Sequence, residues 1–406
     1  MTSTQDVHPL LLRRSEEVGA FRIVRRLATG GYGAIFLAES ETRGPVALKF
    51  ALQGPSRENE AHVDERTWKE AAVLMRLEHP NVVEMLGYRR WPDARDGYMV
   101  LILGYVEGPT LSEWALRSHP TPRRVAQVFA QVALTLDAIH REGVLHRDIK
   151  GSNIIIRASD GQPVLVDFGS GDHACTPVLT EDSLPPGTPS YRSPEALRFW
   201  TGPRVSGSRY AFQPTDDLYS LGLVLYEVLT GAFPYPAQLP PSALLASIES
   251  SQLRPPSGLN PRVPAVLDPI CLRLLHKHAE GRYPSGAELY GALSAAMETA
   301  DVSWDEPLFP PRAPPDAVTE EAEELFDGDE DARELRRWMR APERPGSPWD
   351  TDSGVPGRLL TPPTEPGPRF PMEPGAARPS LWEVWLRRRL RSLRRGLAAL
   401  RSRRGR

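Results

Sequence analysis

The stretch that decides the fold is HRDIKGSN, His146 to Asn153. It is polar, yet it sits between the apolar pair Val144-Leu145 and the apolar run Ile154 to Ile156. A loop carrying Asp148, Lys150 and Asn153 in that setting is hard to explain as solvated surface alone. An aspartate held there can accept a proton, a lysine can hold an anion, and an asparagine oxygen can ligate a hard cation. Just upstream, Val125, Val128, Phe129, Val132, Leu136 and Ile139 recur at helical spacing and predict a long helix with one core face.

Working outward, LVDFG places Asp167 after a predicted strand and before a glycine, where a carboxylate suits a cation that bridges phosphate oxygens. Towards the N-terminus, VALK ends a short β-rich segment on Lys49, and Glu70 in WKEAAVLMRL can pair with it. A single lysine at the end of an apolar strand reaches solvent as readily as it meets a phosphate. LATGGYGAIF lies between two predicted strands, and Gly30, Gly31 and Gly33 would let backbone amides close over an anion. Glycine-rich hairpins are common for structural reasons. This one lacks the G-K-[ST] ending of a Walker loop and the helix that follows a dinucleotide-binding turn. FRIVRRL, AIFLAES, PVALKF and YMVLIL read as strands, a helix is expected over 67–77, and the chain beyond Ser112 reads as mainly helical. That order predicts an α+β protein of two lobes.

In sequence order these motifs resemble the eukaryotic-type protein kinase family, in the flavour of bacterial serine/threonine kinases. The resemblance covers about 280 residues, Phe21 to Thr299, and implies a bilobal fold: a small β-rich N-lobe over about 21–104 and a larger helical C-lobe over about 105–299. It implies ATP and Mg²⁺ (or Mn²⁺) as cofactors and protein serine or threonine as acceptor. Lys49 and Glu70 look like the ion pair that holds the α- and β-phosphates, Asp148 like the catalytic base, Lys150 like its companion, and Asn153 and Asp167 like the metal ligands. The nucleotide site would comprise Ala28, Gly30, Gly31, Gly33, Ile35, Ala47, Lys49, Gly104 and Val106. GTPSYRSPE resembles the substrate-binding segment, with Thr188 contacting the catalytic loop, Glu195 pairing with Arg282, and Asp217 bracing that loop from DDLYSLG. Lys150, two residues after the base, follows the serine/threonine pattern rather than the tyrosine one.

Two departures stand out. Ala28 replaces the first glycine of the phosphate loop, and Gly104 stands where the hinge, next to the gatekeeper-like Leu103, usually carries glutamate. Neither removes a metal ligand or the base. Three other readings stay open: a pseudokinase or scaffold that binds nucleotide and partners without transfer, a small-molecule phosphotransferase, and a kinase domain that serves to regulate its own tail. Loss of Lys49, Asp148 or Asp167 would mark the first, and GTPSYRSPE argues against the second. Arg147 is the expected partner of a phosphate at Thr180 or Ser183.

Composition fits this picture. Among 406 residues, 40% are hydrophobic and 25% charged, with a net charge of -3, so no specific nucleic-acid partner is expected. Cys175 and Cys271 make no disulfide framework, and no run reaches the ~18 apolar residues of a membrane span. A cytoplasmic protein, at most peripheral to a membrane, is expected. Of 49 basic residues only four are lysines, and two of those, Lys49 and Lys150, fall in the motifs. Residues 1–20 read as an N-terminal extension and 300–379 as a mostly disordered proline-rich and acidic linker. Residues 380–406 read as a basic amphipathic helix. Ser380 and Glu383 form a capping-box signature, and Trp382, Leu386, Leu390, Leu393, Leu397 and Leu400 form an apolar stripe among ten arginines. An anionic membrane surface, a partner protein, or the chain's own acidic block are its candidate contacts.

Overall fold

Alternation along three neighbouring strands builds the N-lobe. In the computed structural model, which describes residues 8–30, 33–52, 60–95, 97–169, 172–173, 188–203, 209–236 and 239–309, the first sheet has six strands. They are β1 (Glu17–Val18), β2 (Phe21–Gly30), β3 (Gly33–Ser40), β4 (Gly44–Ala51), β5 (Met85–Trp91) and β6 (Tyr98–Gly104). Their order is β1-β2-β3-β4-β6-β5 and every pair is antiparallel. Because side chains alternate between faces, Val46, Leu48 and Phe50 of β4 join Ala34, Phe36 and Ala38 of β3 in one apolar layer. Phe36, Phe50 and Trp91 meet edge-on within it. The N-terminal segment closes this layer: Leu10 and Leu12 are buried in it, and the ring of His8 packs against Tyr98. Ile35, Ala47 and Lys49 consequently point to the opposite face, where the register pairs Ile35 with Lys49 and Ala47 with Leu103.

Against that face lies α1 (Glu60–Leu74), whose Ala71, Val73 and Leu74 pack with Met99, Leu101 and Leu103. The helix begins seven residues before the expected Thr67 and ends three before Leu77. Residues 75–77 leave it through turn bonds, Arg76 N to Val73 O at 3.1 Å and Leu77 N to Leu74 O at 3.2 Å.

The C-lobe is built on α2 (Leu111–Arg117), α3 (Pro122–Arg141), α4 (Pro194–Thr201), α5 (Pro214–Thr230), α6 (Pro241–Ser250), α7 (Leu267–Leu274) and α8 (Gly286–Glu298). All six apolar residues that predicted α3 are buried. Proline at its N1 position and Thr121, whose hydroxyl accepts from Arg124 N, set its start. Helix α5 is sheathed by protein along nearly its whole length and stops at Gly231, whose φ of 72° is the left-handed conformation that favours glycine. Two small ribbons carry the loops between the lobes: β7 (Val144–Leu145) with β10 (Asp172–His173), and β8 (Ile154–Ile156) with β9 (Pro163–Leu165).

Packing on the C-lobe continues past Thr299. Trp304 and Leu308 are buried in its core, Leu308 N donates to Pro120 O at 3.0 Å, and Arg123 pairs with Asp305 at 2.7 Å. Asn260 Nδ2 donates to the carbonyls of Leu229 (3.0 Å) and Leu308 (3.2 Å), and Arg262 Nη1 to that of Pro307 (2.8 Å). Among the described residues no helix is long and apolar enough to cross a membrane.

Candidate active site

Lys49 sits mid-face on β4, so its ammonium enters the space between the sheet and α1. There it donates to both oxygens of Glu70 and to Oδ1 of Asp167, each at 2.7 Å. Burial alone would strip its proton, but two carboxylates at contact distance hold it charged well above the usual lysine range. For Asp167 burial works upward, and the charge and hydrogen bond of Lys49 outweigh it, leaving the carboxyl far below the ordinary range. Glu70 is pushed up by burial and by its neighbour Asp167, against the pull of Lys49. Helix α1 is tied to the same turn a second time: Arg66, one helical turn before Glu70, donates from Nε to Gly169 O at 3.0 Å. A side chain at Gly169 would press on all three charged groups, its Cβ 3.1 Å from Asp167 Oδ1 and 3.2 Å from Glu70 Oε2.

Asp148 lies in a closed polar ring. Lys150 Nζ donates to Asp148 Oδ2 at 2.8 Å and to Thr188 Oγ1 at 3.0 Å. Thr188 donates from its amide (3.1 Å) and its hydroxyl (3.2 Å) to Asp148 Oδ1. Asn153 Nδ2 reaches the Asp148 carbonyl at 2.8 Å and Oδ2 at 3.1 Å. Burial would raise the Asp148 carboxyl, but the bond and charge of Lys150 and the Thr188 amide hold it below its ordinary value. It is therefore ionised at neutral pH and able to accept a proton.

The loop itself is fixed from below by Asp217 on α5. Its Oδ2 accepts from His146 N (2.9 Å) and His140 Nε2 (2.9 Å), and its Oδ1 from Arg147 N (2.8 Å). Burial raises this carboxyl, and the bonds and charge of His140 together with the His146 amide bring it below the usual range. His146 then reaches the other half of the site. Its Nε2 donates to Val166 O at 3.1 Å, its ring lies 4.5 Å from that of buried Phe168, and Val166 N donates to Asn153 O at 3.0 Å. These bonds tie the segment of Asp167 to the loop from His146 to Asn153. Arg147 (φ 66°) and Asp167 (φ 62°) both hold left-handed backbone, strained for residues other than glycine.

The segment GTPSYRSPE is anchored at its far end. Buried Arg282 donates to Glu195 at 2.8 and 3.0 Å, lies over the ring of Tyr219, and also reaches the carbonyls of His276 and Thr215. On the sheet, Ile35 and Ala47 share a face with Lys49, Gly30 pairs with Gly33 to close the β2–β3 hairpin, and Ala28 pairs with Ile35. A Cβ at Gly33 would come within 2.7 Å of Phe50 O, so the hairpin needs glycine there. Gly104 ends β6 and donates from its amide to Glu84 O at 2.8 Å, with half-buried Val106 two residues on. A Cβ at Gly104 would meet Glu84 Cβ at an ordinary 3.5 Å, so no clash forbids a side chain at this departure. Gly31, Thr180, Ser183, the acidic block and the 380–406 helix lie outside the described residues.

The oxygen donors Asn153 and Asp167 suit magnesium, a hard cation commonly held by one or two protein oxygens together with substrate phosphates. No cluster of three or more histidine, cysteine, aspartate or glutamate side chains able to cage a metal alone occurs among the described residues. Sequence reading missed Arg66 and His140, which meet partners 103 and 77 residues away. The i,i+4 spacing of Arg66 and Glu70 was the one available signal.

Comparison with known proteins gives the same picture. The sequence matches the family model described as "Protein kinase domain" over residues 21–281. It is similar to the serine/threonine-protein kinase PknH of Mycobacterium bovis, 33% identical over 285 residues, which is 70% of this chain and 45% of that protein. The serine/threonine-protein kinase PknD of Mycobacterium tuberculosis is 32% identical over 291 residues, 70% of this chain and 41% of that protein. Pkn1 of Myxococcus xanthus, also named a serine/threonine-protein kinase, is 33% identical over 287 residues, 69% of this chain and 38% of that protein. The chain thus spans less than half the length of these curated relatives.

Proposed function

The chain belongs to the protein kinase family, and from that premise we propose that it transfers the γ-phosphate of ATP to serine or threonine hydroxyls of proteins. The observation that carries the proposal is the paired arrangement of charges. A lysine is bound at 2.7 Å to both a helix glutamate and Asp167, and an ionised Asp148 is ringed by Lys150, Thr188 and Asn153. A nucleotide-binding scaffold has no use for the second half.

In this reading the face bearing Ile35 and Ala47 receives the adenine, and backbone groups at Gly104 and Val106 bind its edge. Lys49, oriented by Glu70, holds the α- and β-phosphates. Asp148 orients the acceptor hydroxyl and takes its proton as the new oxygen–phosphorus bond forms. Lys150, already fixed by Thr188, stands beside that hydroxyl and offsets charge on the γ-phosphoryl group. Asn153 and Asp167 would hold magnesium, which supplies positive charge to the phosphate oxygens. The Lys150–Thr188 bond ties the acceptor side to the catalytic loop and supports serine/threonine over tyrosine. Autophosphorylation and a signalling role belong to the same proposal, as do protein substrates generally.

The test is incubation of the full chain with labelled ATP, Mg²⁺ and a generic basic protein substrate, alongside Asp148→Asn. We expect phosphoserine or phosphothreonine from the wild type and ~10²–10⁴-fold less from the variant, the range for removing a general base. No transfer by the wild type, or equal transfer by both, would overturn the proposal.

A further inference from the structure

Arg192, the single arginine of the substrate-binding segment GTPSYRSPE, is 4% exposed, in a place where an apolar side chain would be cheaper. Burial draws its guanidinium below the usual arginine value, although Asp148, Asp216 and Asp217 lie within range of its charge. Two of its contacts bear on Arg147, one directly and one through a shared ring. Arg192 Nη1 donates to the carbonyl oxygen of Arg147 at 3.2 Å. The guanidinium carbon of Arg192 lies 5.1 Å from the ring centre of Phe212, and that of Arg147 lies 4.8 Å from the same ring. Two like charges therefore share one aromatic side chain, whose negative π-faces attract both.

Phe212 is itself held in place. Tyr210 packs edge-on against it with ring centres 4.7 Å apart. Tyr210 is tied in turn by its hydroxyl to Asp216 Oδ1 at 2.9 Å, and Gln213 N donates to Asp216 Oδ2 at 2.7 Å. The stretch 210–217, which carries none of the motifs up to Asp217, thus forms a shelf at the start of α5.

Arg147 directly precedes Asp148 and holds left-handed backbone, which relaxes unless its surroundings fix it. It is gripped at three points. Asp217 takes its amide, Arg192 its carbonyl, and Phe212 its side chain. The first grip comes from the C-lobe core, the second from the segment that contacts the acceptor, and the third from the shelf. We propose that Arg192 and Phe212 act together as positioning residues, a stacked clamp that holds the Arg147 peptide and through it aims Asp148 when the substrate-binding segment is in place. This inference rests on the kinase reading and adds to it the coupling between that segment and the base.

The experiment is steady-state kinetics of the full chain with Mg-ATP and a protein substrate, together with thermal unfolding. The variants are Arg192→Met, Arg192→Lys, Phe212→Leu and the double Arg192→Met/Phe212→Leu. We expect each of Arg192→Met and Phe212→Leu to lower kcat by roughly ten- to a hundredfold, as for a misaimed catalytic group, with KM for ATP near the wild-type value. Arg192→Lys keeps a charge and a donor and should fall between wild type and Arg192→Met. The double variant should lose little more than the worse single one, because both act on the same peptide. A kcat within twofold of wild type in Arg192→Met, or losses that multiply in the double variant, would overturn the clamp. So would a kcat loss matched by a rise in KM for ATP, the sign of general loosening. If Phe212→Leu does not fold, the ordering of wild type, Arg192→Lys and Arg192→Met still decides. An inactive wild type would instead sink the kinase reading beneath it, which the wild-type control reports separately.

Discussion

Replacing Asp217 by asparagine keeps size and shape and removes one charge and one acceptor. In the wild type two oxygens accept three N–H groups, from His146, Arg147 and His140, at 2.8 to 2.9 Å. If the amide oxygen takes the Oδ2 position, His146 and His140 keep a weaker, neutral partner, and the Arg147 amide faces an NH₂ group. One charge-assisted bond is lost at about 1.5–3 kcal/mol, two others are weakened, and part is returned because a charge is no longer buried. The net cost should be about 2–3 kcal/mol, a large share of the 5–15 kcal/mol typical of a domain.

The pH dependence follows from sign. The Asp217 carboxyl is below its ordinary value in the folded protein, so the folded state binds its proton less readily than the unfolded chain. Its stabilisation is fully present above the unfolded value of about 3.9 and is lost as pH falls through the folded one. Asparagine does not titrate. Urea unfolding followed by fluorescence of the nine tryptophans should show a wild-type advantage that is flat from about pH 8 to 5 and narrows below about pH 4. An advantage that widens on acidification, or a variant as stable and active as wild type at pH 7, would refute this account of the brace.

Three further outcomes are expected. Lys49→Met and Asp167→Asn should each abolish measurable transfer in the labelled-ATP assay, because each removes a charge that the proposed mechanism assigns to the phosphates or their metal; retained activity in Asp167→Asn would remove it as a metal ligand. Arg66→Met should raise KM for ATP several-fold, by about the 1 kcal/mol of one hydrogen bond, and lower thermal stability by no more than that one part-buried bond to Gly169. Gly108→Ala should destabilise the chain by about 1–3 kcal/mol or more in urea unfolding: its φ is 151° and an added Cβ would lie inside contact distance of the Ile156 carbonyl oxygen.

Short motifs were the legible part of this site. Asp148 and Asn153 stand out within a few residues of chain, Lys49 and Asp167 only through the order and spacing of the motifs, and the alternation of β4 alone tells which face Lys49 takes. The core face of α3 was equally plain. Strand β5, MLGYRRW, was not seen, because six of its seven residues are only half-buried and Gly87 and two arginines blur any alternation. The first turns of α1, EAHVDER, carry no apolar stripe, so the helix read as beginning later. Contacts that join distant segments left no local trace: the hold of His140 on Asp217, the tie from Arg66 to Gly169, and the stacking of Arg147 and Arg192 on Phe212. Arginine in YRSPE reads as surface charge until the ring beneath it is known.

The ten residues after Thr299 bear on how this catalytic unit can be cut from its chain. The match to the family model ends at residue 281, and the change in composition begins near 300, yet Trp304 and Leu308 complete the core 23 and 27 residues beyond that match. A fragment trimmed near 300 would open two apolar holes and leave Asn260 without one of its two acceptor carbonyls, and one trimmed at 281 would also lose α8 with Leu289 and Leu293. Such a fragment is apt to aggregate for reasons unrelated to catalysis, and its inactivity would say nothing about the enzyme. The shortest piece whose failure could be interpreted ends at Phe309.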